Sequence, residues 1–286
     1  MEMLKYEKCE NMRTVFFMFV VFMIFVSCDK VEPPYKENHS TIIDTTTYVQ
    51  KVLIEDYTGH RCGNCPRAHE KLSELIGIYG NRVIGIAIHS GFFAEPLLPD
   101  YPEDYRTDVG NELTTAFGVE LYPVGMVNRT EQSGTLLLSY DAWASAVADI
   151  VSQQPKAFIT VQANLNTSNQ MITATSTIKL IQSLPDSLKL CMYLTEDSII
   201  STQTDYNQTP NLVSNYVHNH VLRKSLNGTW GTSIPLTGKQ VGDTLIRTFS
   251  IAWNTTWNSK HCHIVSYIYN ASNNQIIQVN ESAVQK

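Results

Sequence analysis

The sequence predicts an α/β domain followed by an all-β sandwich, on a chain of 286 residues. Between residues 48 and 154, apolar runs of strand length alternate with runs of helical spacing. After Pro155 the helical spacing disappears, and strand-like runs follow one another between Asn, Ser, Gly and Pro. The first 27 residues have the character of an export signal and stand outside the fold. A composition of 43% hydrophobic and 17% charged residues is that of a globular chain. A formal charge of −6 without a basic stripe argues against a nucleic-acid partner.

At the N-terminus, Lys5, Lys8 and Arg13 precede the apolar run TVFFMFVVFMIFV at 14–26. Thirteen residues are too few for a bilayer, which needs about 20, but suit the core of a secretory signal. The FVSC that follows ends at Cys28 and resembles the lipobox of bacterial lipoproteins. That resemblance implies cleavage before Cys28 and a lipid on it; the competing readings are an ordinary signal peptide and an uncleaved anchor. Met12 opens a shorter but complete signal. Cleavage removes three basic and three acidic residues and leaves the charge at −6. A lipoprotein carries several acyl chains, enough for stable anchoring to the membrane. Residues 28–47 then read as a tether, polar and Pro-containing in DKVEPPYKENHS at 29–40 and ending near the Thr run 45–47.

The α/β region occupies 48–154. KVLIEDY at 51–57 reads as a buried strand. CPRAHEKLSELIGIYG at 65–80 reads as a helix, because Ala68, Leu72, Leu75, Ile76 and Tyr79 recur at three and four and Gly80 supplies a stop. RVIGIAIH at 82–89 is an uninterrupted apolar strand, so strand, helix and strand make a parallel βαβ unit. A second helix is expected over 103–118, a third strand over 124–129, and a closing helix over 139–154 with Ser139 or Asp141 as its cap.

The β region occupies 155–286, with strands expected at 156–164, 170–182, 187–195, 216–226, 243–253, 261–269 and 275–280. About seven short strands in this span suggest an antiparallel, immunoglobulin-like sandwich.

Chemistry concentrates in TGHRCGNCPRAH at 58–69. A CxxC that follows a buried strand and opens a helix is the setting of a thioredoxin-like redox site. Cys62 stands near a helix N-terminus, where unpaired N–H groups and the dipole favour a thiolate, with His60 and Arg61 beside it. Cys65, one turn inward, suits the resolving role. Asp56 shares its strand face with Val52 and Ile54, so it points into an apolar layer. Desolvation there raises a carboxyl pKa and fits Asp56 to exchange a proton with Cys65. FGVELYPVGMVNR at 117–129 resembles the thioredoxin segment in which a cis-proline lies against the CxxC; Pro123 is the match, and Tyr122 falls in the wall of the site. The sequence departs from thioredoxins in carrying Arg61 before the first cysteine and Gly63–Asn64 between the two. It also carries an added stretch at 89–102, whose aromatic and Leu residues make either a lid or an edge for a partner.

Three readings of the pair stand open: a redox-active site, a structural disulfide, and zinc held with His60 and His69. Zinc is the weakest, since there is one CxxC and export favours oxidation; no metal and no cofactor is expected. Cys191 and Cys262 lie in apolar strand runs, and form either a second structural disulfide or two buried thiols. On a strand His218 and His220 share a face, a possible metal pair, as do His261 and His263; without a third ligand in view they read as polar surface or packing residues. No other catalytic motif is present.

VLIEDYTGHRCGNCPRAHEKLSEL and AFGVELYPVGMVNR, with YLTEDSI at 193–199 and YVHNHVLRKSLNGTWG at 216–231, resemble the Omp28-related outer-membrane lipoproteins of Bacteroidetes over nearly all of 48–286. The resemblance implies a thioredoxin-like domain, a β-sandwich and an outer-membrane anchor facing the periplasm or the cell surface, with envelope or extracellular proteins as partners. It leaves two functions open. One is thiol–disulfide exchange by Cys62 and Cys65, with Asp56, Tyr122 and Pro123 assisting. The other is a binding lipoprotein in which the pair is a staple.

Overall fold

A computed structural model describes residues 48–286. The expected export signal, Cys28 and the expected tether lie outside the described residues.

Strands β1 (Val52–Thr58) and β2 (Val83–His89) pair in parallel from Val52↔Val83 to Thr58↔His89. Every residue of both is buried, as expected where helices or further structure cover both faces of a parallel pair. Helix α1 (Cys65–Tyr79) joins them. Its buried face is Cys65, Ala68, Leu72 and Leu75, and Pro66 sits in the first turn, where a missing N–H costs nothing. Gly80 ends it at φ 58°, its N–H donating to the Ile76 carbonyl. Helix α2 (Asp108–Ala116) begins five residues later than its spacing suggested, because extended Thr107 caps it by accepting from the Gly110 N–H.

Strand β3 (Val124–Val127) runs antiparallel along the other edge of β1. The closing helix α3 (Trp143–Val151) follows a 3₁₀ turn, Tyr140–Ala142. The expected capping by Ser139 or Asp141 does not occur. The turn places Ala142 at the cap, and no side chain bonds there. Burial of Trp143, Ala146, Val147 and Ile150 against Val52, Ile54 and the α1 face holds this helix instead.

The β-rich half supplies β4 (Ala157–Asn166), β5 (Met171–Leu180), β6 (Leu188–Glu196), β7 (Ile199–Thr204), β8 (Leu212–His218), β9 (Val221–Ser225), β10 (Thr232–Ser233), β11 (Thr244–Ala252), β12 (Cys262–Asn270) and β13 (Ile276–Gln285). The protein is mostly β, built on a mixed sheet in the order β11-β5-β4-β13-β12-β6-β9-β2-β1-β3, with β10 beside β6. The expected strand 216–226 is two strands. His220, at φ 59°, breaks the run, so β8 pairs with β7 in a separate two-stranded ribbon while β9 joins β2.

The layered packing of a sandwich is present on one side. Leu190, Met192 and Leu194 of β6, with Ile264 and Ile268 of β12, pack against Ile159, Ile172, Ile178 and Leu245 of β4, β5 and β11. It is not the freestanding immunoglobulin-like sandwich of the expectation. The opposite faces of β6 and β12, with Tyr193, Val265 and Tyr267, continue the cluster formed by Leu53, Ile84, Ile86 and Ile88 of β1 and β2.

That face-by-face division decides between the two readings of Cys191 and Cys262 in favour of buried thiols. Both cysteines are free and buried. Cys191 lies opposite Tyr267 and Cys262 opposite Glu196 on paired strands, so about 17 Å of strand separates their levels. A disulfide requires Cα atoms within about 7 Å. The two thiols also face different cores.

Candidate functional site

β1 ends at Thr58 and the chain turns through Gly59–Asn64 into α1. The Cys62 N–H donates to the Gly59 carbonyl at 3.0 Å and the Arg61 N–H to the Phe93 carbonyl at 3.0 Å. A Cβ on Gly59 would stand 2.4 Å from the Phe93 carbonyl carbon, so glycine is what lets these two loops touch. Cys62 and Cys65 are joined by a disulfide, with 5.4 Å between their Cα atoms. The zinc reading is not met: the two sulfurs bond each other, His60 Nε2 lies 3.1 Å from the Glu95 carbonyl, and His69 Nε2 lies 2.9 Å from Thr58 Oγ1.

Asp56 stands on β1 with the parity of Val52 and Ile54, wholly buried. Neither carboxyl oxygen has a hydrogen-bond partner among the described residues. His69 of α1 approaches with Nε2 3.5 Å from Oδ2. Burial pushes the Asp56 carboxyl up to about 8. Burial, then the His220 charge, pushes His69 down to about 4. The two shifts agree that both groups are neutral near pH 7, so the contact is not an ion pair. His69 Nδ1 lies 2.8 Å from the Tyr216 hydroxyl, and Asp56, His69 and Tyr216 share a pocket of about 280 Å³ with Leu72, Ile76 and His220.

Pro123 follows a cis peptide bond from Tyr122. The Tyr57↔Val124 register sets it level with the end of β1, where the cysteine loop starts. The Tyr122 hydroxyl is 3.0 Å from Ser90 Oγ, and its ring meets Phe93 edge-on at 6.0 Å. Phe93 belongs to the added stretch 89–102, which folds over the cysteine loop with a 3₁₀ turn at Phe92–Ala94 and sets the Phe92 ring 4.4 Å from the Arg61 guanidinium.

Two features escaped the sequence reading. The first is a buried imidazole–phenol cluster: His89 and His218 rings 5.8 Å apart, each close to Tyr105, with the His60 ring also against Tyr105 at 5.9 Å. The parity of His218 and His220 suggested a shared face, but the turn at His220 separates them. The second is the β7–β8 ribbon, which lies across the cysteine loop. The Thr204 N–H donates to the His60 carbonyl at 2.8 Å and the Tyr206 N–H to the Gly63 carbonyl at 2.9 Å. Gln203, fully buried, donates through Nε2 to the carbonyl of Cys62 at 2.9 Å. Cys62 is in consequence 3% exposed and Cys65 not at all. The ribbon sequence is rich in Thr, Asn, Gln and Ser, which reads as loop; strand pairing and the contact with the cysteine loop override that composition.

A helix-opening disulfide at the end of a parallel strand pair, carried on a large mixed sheet, defines a disulfide-bearing α/β protein with an extensive β-rich half. A family model described as outer membrane protein Omp28 matches residues 110–286, which is most of the chain but begins after Cys62 and Cys65. The chain belongs to this Omp28 family and is an outer-membrane protein. Among solved structures, HBP35 of Porphyromonas gingivalis superposes with a TM-score of 0.63 at 18% identity, over 83% of this chain and 76% of that one, a likeness of fold. Protein AGR_C_4864 from Agrobacterium tumefaciens gives a TM-score of 0.49 at 13% identity, over 82% and 94%. A domain of the outer membrane lipoprotein Omp28 from Porphyromonas gingivalis gives 0.32 at 18%, over 46% and 91%. Comparison with curated proteins finds no match.

Proposed function

We propose that the protein is an outer-membrane lipoprotein, anchored through Cys28, whose thioredoxin-like half exchanges disulfides with other envelope or extracellular proteins through Cys62 and Cys65. The observation that carries the reading is the closed Cys62–Cys65 pair at the α1 N-terminus, with the neutral, unpartnered Asp56 on the adjoining strand. A thiolate of a partner dithiol attacks Cys62 Sγ. The Cys62–Cys65 bond breaks as the mixed disulfide forms, and Cys65 leaves as a thiolate that takes a proton delivered through Asp56. The partner's second thiol, deprotonated by Asp56, attacks its own mixed-disulfide sulfur. Cys62 then leaves as a thiolate, favoured by the N-terminus of α1. The partner gains a disulfide and the protein a dithiol; the reverse sequence reduces a partner. Tyr122 and Pro123 form the wall beside which the partner chain lies.

The test is the reduction potential of the pair, read by alkylation after equilibration in graded thiol buffers. A value between about −270 and −120 mV fits exchange. One below about −300 mV marks a structural staple. The near-complete burial of both cysteines favours that second reading, a binding lipoprotein. A Cys65→Ser variant extends the test: exchange leaves mixed disulfides on Cys62 in the native envelope, and a staple leaves none.

A further inference from the structure

We propose that the β7–β8 ribbon is a cover hinged at its base, with Tyr206 as the residue that controls which thiols reach Cys62. The purpose of such a cover rests on the exchange reading above, but the occlusion is a property of the fold whatever the pair does.

The ribbon is not part of the main sheet; β7 and β8 pair with each other alone. Two-stranded ribbons are marginal by themselves, so this one depends on what it lies against. Its strands are mostly half-buried or exposed, with Gln203 and His218 their fully buried residues. It is held at the cysteine loop by polar contacts: Thr204 to His60, Tyr206 to Gly63, Gln203 to Cys62, and Arg67 of α1 donating to Asn207 Oδ1 at 2.7 Å. Tyr101 and Tyr105 clasp its outer side through Thr204 at 2.6 Å and Ser201 at 2.7 Å. A segment attached by polar contacts and little apolar burial belongs to the low-stability end of a fold.

The ribbon leaves the sheet through a narrow neck. Ser198 at φ 57° and His220 at φ 59° stand at its two ends. The neck is tied across by the Ser198 N–H donating to Asn219 Oδ1 at 2.9 Å and the His220 N–H donating to Asp197 Oδ1 at 2.6 Å. These bonds hold β6 and β9 together at the neck, so on this proposal it is the ribbon beyond Ser198 and His220 that moves while the sheet stays paired.

Tyr206 is the part that touches the site. A Cβ on Gly63 would fall 2.4 Å from its ring, so the ring lies flat against the glycine between the two cysteines. The ring is nevertheless 61% exposed, so it contributes cover and little core packing. The glycine of CGNC serves the cover as much as the turn.

The experiment is the rate at which dithiothreitol reduces the Cys62–Cys65 bond in the full chain, followed by alkylation and mass. Tyr206→Ala is expected to speed reduction about tenfold with little change in thermal midpoint. Tyr206→Phe keeps the ring and is expected to match the parent. A folded Tyr206→Ala variant reduced at the parental rate overturns the proposal, as does equal acceleration in both variants. Hydrogen exchange on the unmodified protein supplies a readout that needs no variant. The Thr204 and Tyr206 amides are expected to exchange well before those of β1; exchange only with global unfolding overturns the cover. A potential in the range of a structural staple together with the Tyr206 effect would sink the exchange reading and leave the cover standing.

Discussion

Asp56 is a carboxyl placed where water does not stabilise its charge, and the consequence is a stability cost that depends on pH. Unfolded, it releases its proton near 3.8; folded, it holds the proton to about 8. Between these values the folded state binds the extra proton, so the Asp56 contribution falls as pH rises from about 4 to 8. Asp56→Asn removes it. In urea unfolding the variant is expected to be more stable at pH 7 by roughly 2–4 kcal/mol, taking each pKa unit as about 1.4 kcal/mol. The gap should close near pH 4, and a gap unchanged between pH 4 and pH 7 would refute the buried, neutral Asp56. His69 works in the opposite sense. Its folded pKa is about 4 against an ordinary 6.5, so its contribution is intact above 6.5 and is lost as pH falls toward 4.

At the scale of elements, β8 carries a second such group. Burial, followed by the charges of His69 and His60, lowers His218 to about 3, and His89 beside it is lowered well below the ordinary value by burial. Acidification from 6.5 toward 4 therefore favours states in which these rings meet water, the ribbon and its base among them. A His69→Gln/His218→Phe double variant is expected to lose less stability between pH 7 and pH 4.5 than the parent, measured as urea midpoints; an equal loss would place the acid sensitivity elsewhere. The elements also show what a sequence makes legible. β1, α1 and β2 were readable because apolar period and length agree there and tertiary packing reinforces both. So were the burial of Asp56, which follows from one strand's parity, and the start of α1 at Cys65. The seat of the ribbon on the cysteine loop and the histidine cluster were not, since each brings β2 or the loop before α1 against β7–β8, and no local pattern encodes contacts across more than a hundred residues. The choice between a Cys191–Cys262 bridge and two buried thiols was open in the sequence for the same kind of reason. Which face of which strand a cysteine occupies depends on register, and here register sends the two thiols to separate cores.

On the scale of the whole molecule, the two halves share one sheet, and a buried ion pair of the α/β half reaches a tyrosine of the other. β9 extends the β2 edge through Ala87↔Val221, and the Ala87 N–H donates to the His220 carbonyl at 2.8 Å. Glu55 of β1 accepts both Nε and Nη2 of Arg129, at 2.7 and 2.6 Å, with each side chain 1% exposed. The same guanidinium donates to the Tyr267 hydroxyl of β12 at 3.1 Å and lies over the Phe117 ring at 4.9 Å. Paired forks of this kind are strong in the interior, and removing one partner leaves a charge buried without compensation. Arg129→Met is expected to destabilise by about 3–5 kcal/mol, and adding Glu55→Gln should recover part of that loss, because the stranded carboxylate is then gone. Through its bond to Tyr267, Arg129 ties β1 of one half to β12 of the other, so the loss should appear as a lower midpoint of a single transition. Residues 48–154 expressed alone would expose the β2 edge and strip Tyr193, Val265 and Tyr267 from the face shared with Leu53, Ile84 and Ile86. That fragment is expected to stay unfolded by near-UV circular dichroism, and a cooperative unfolding transition from it would show the halves to be independent.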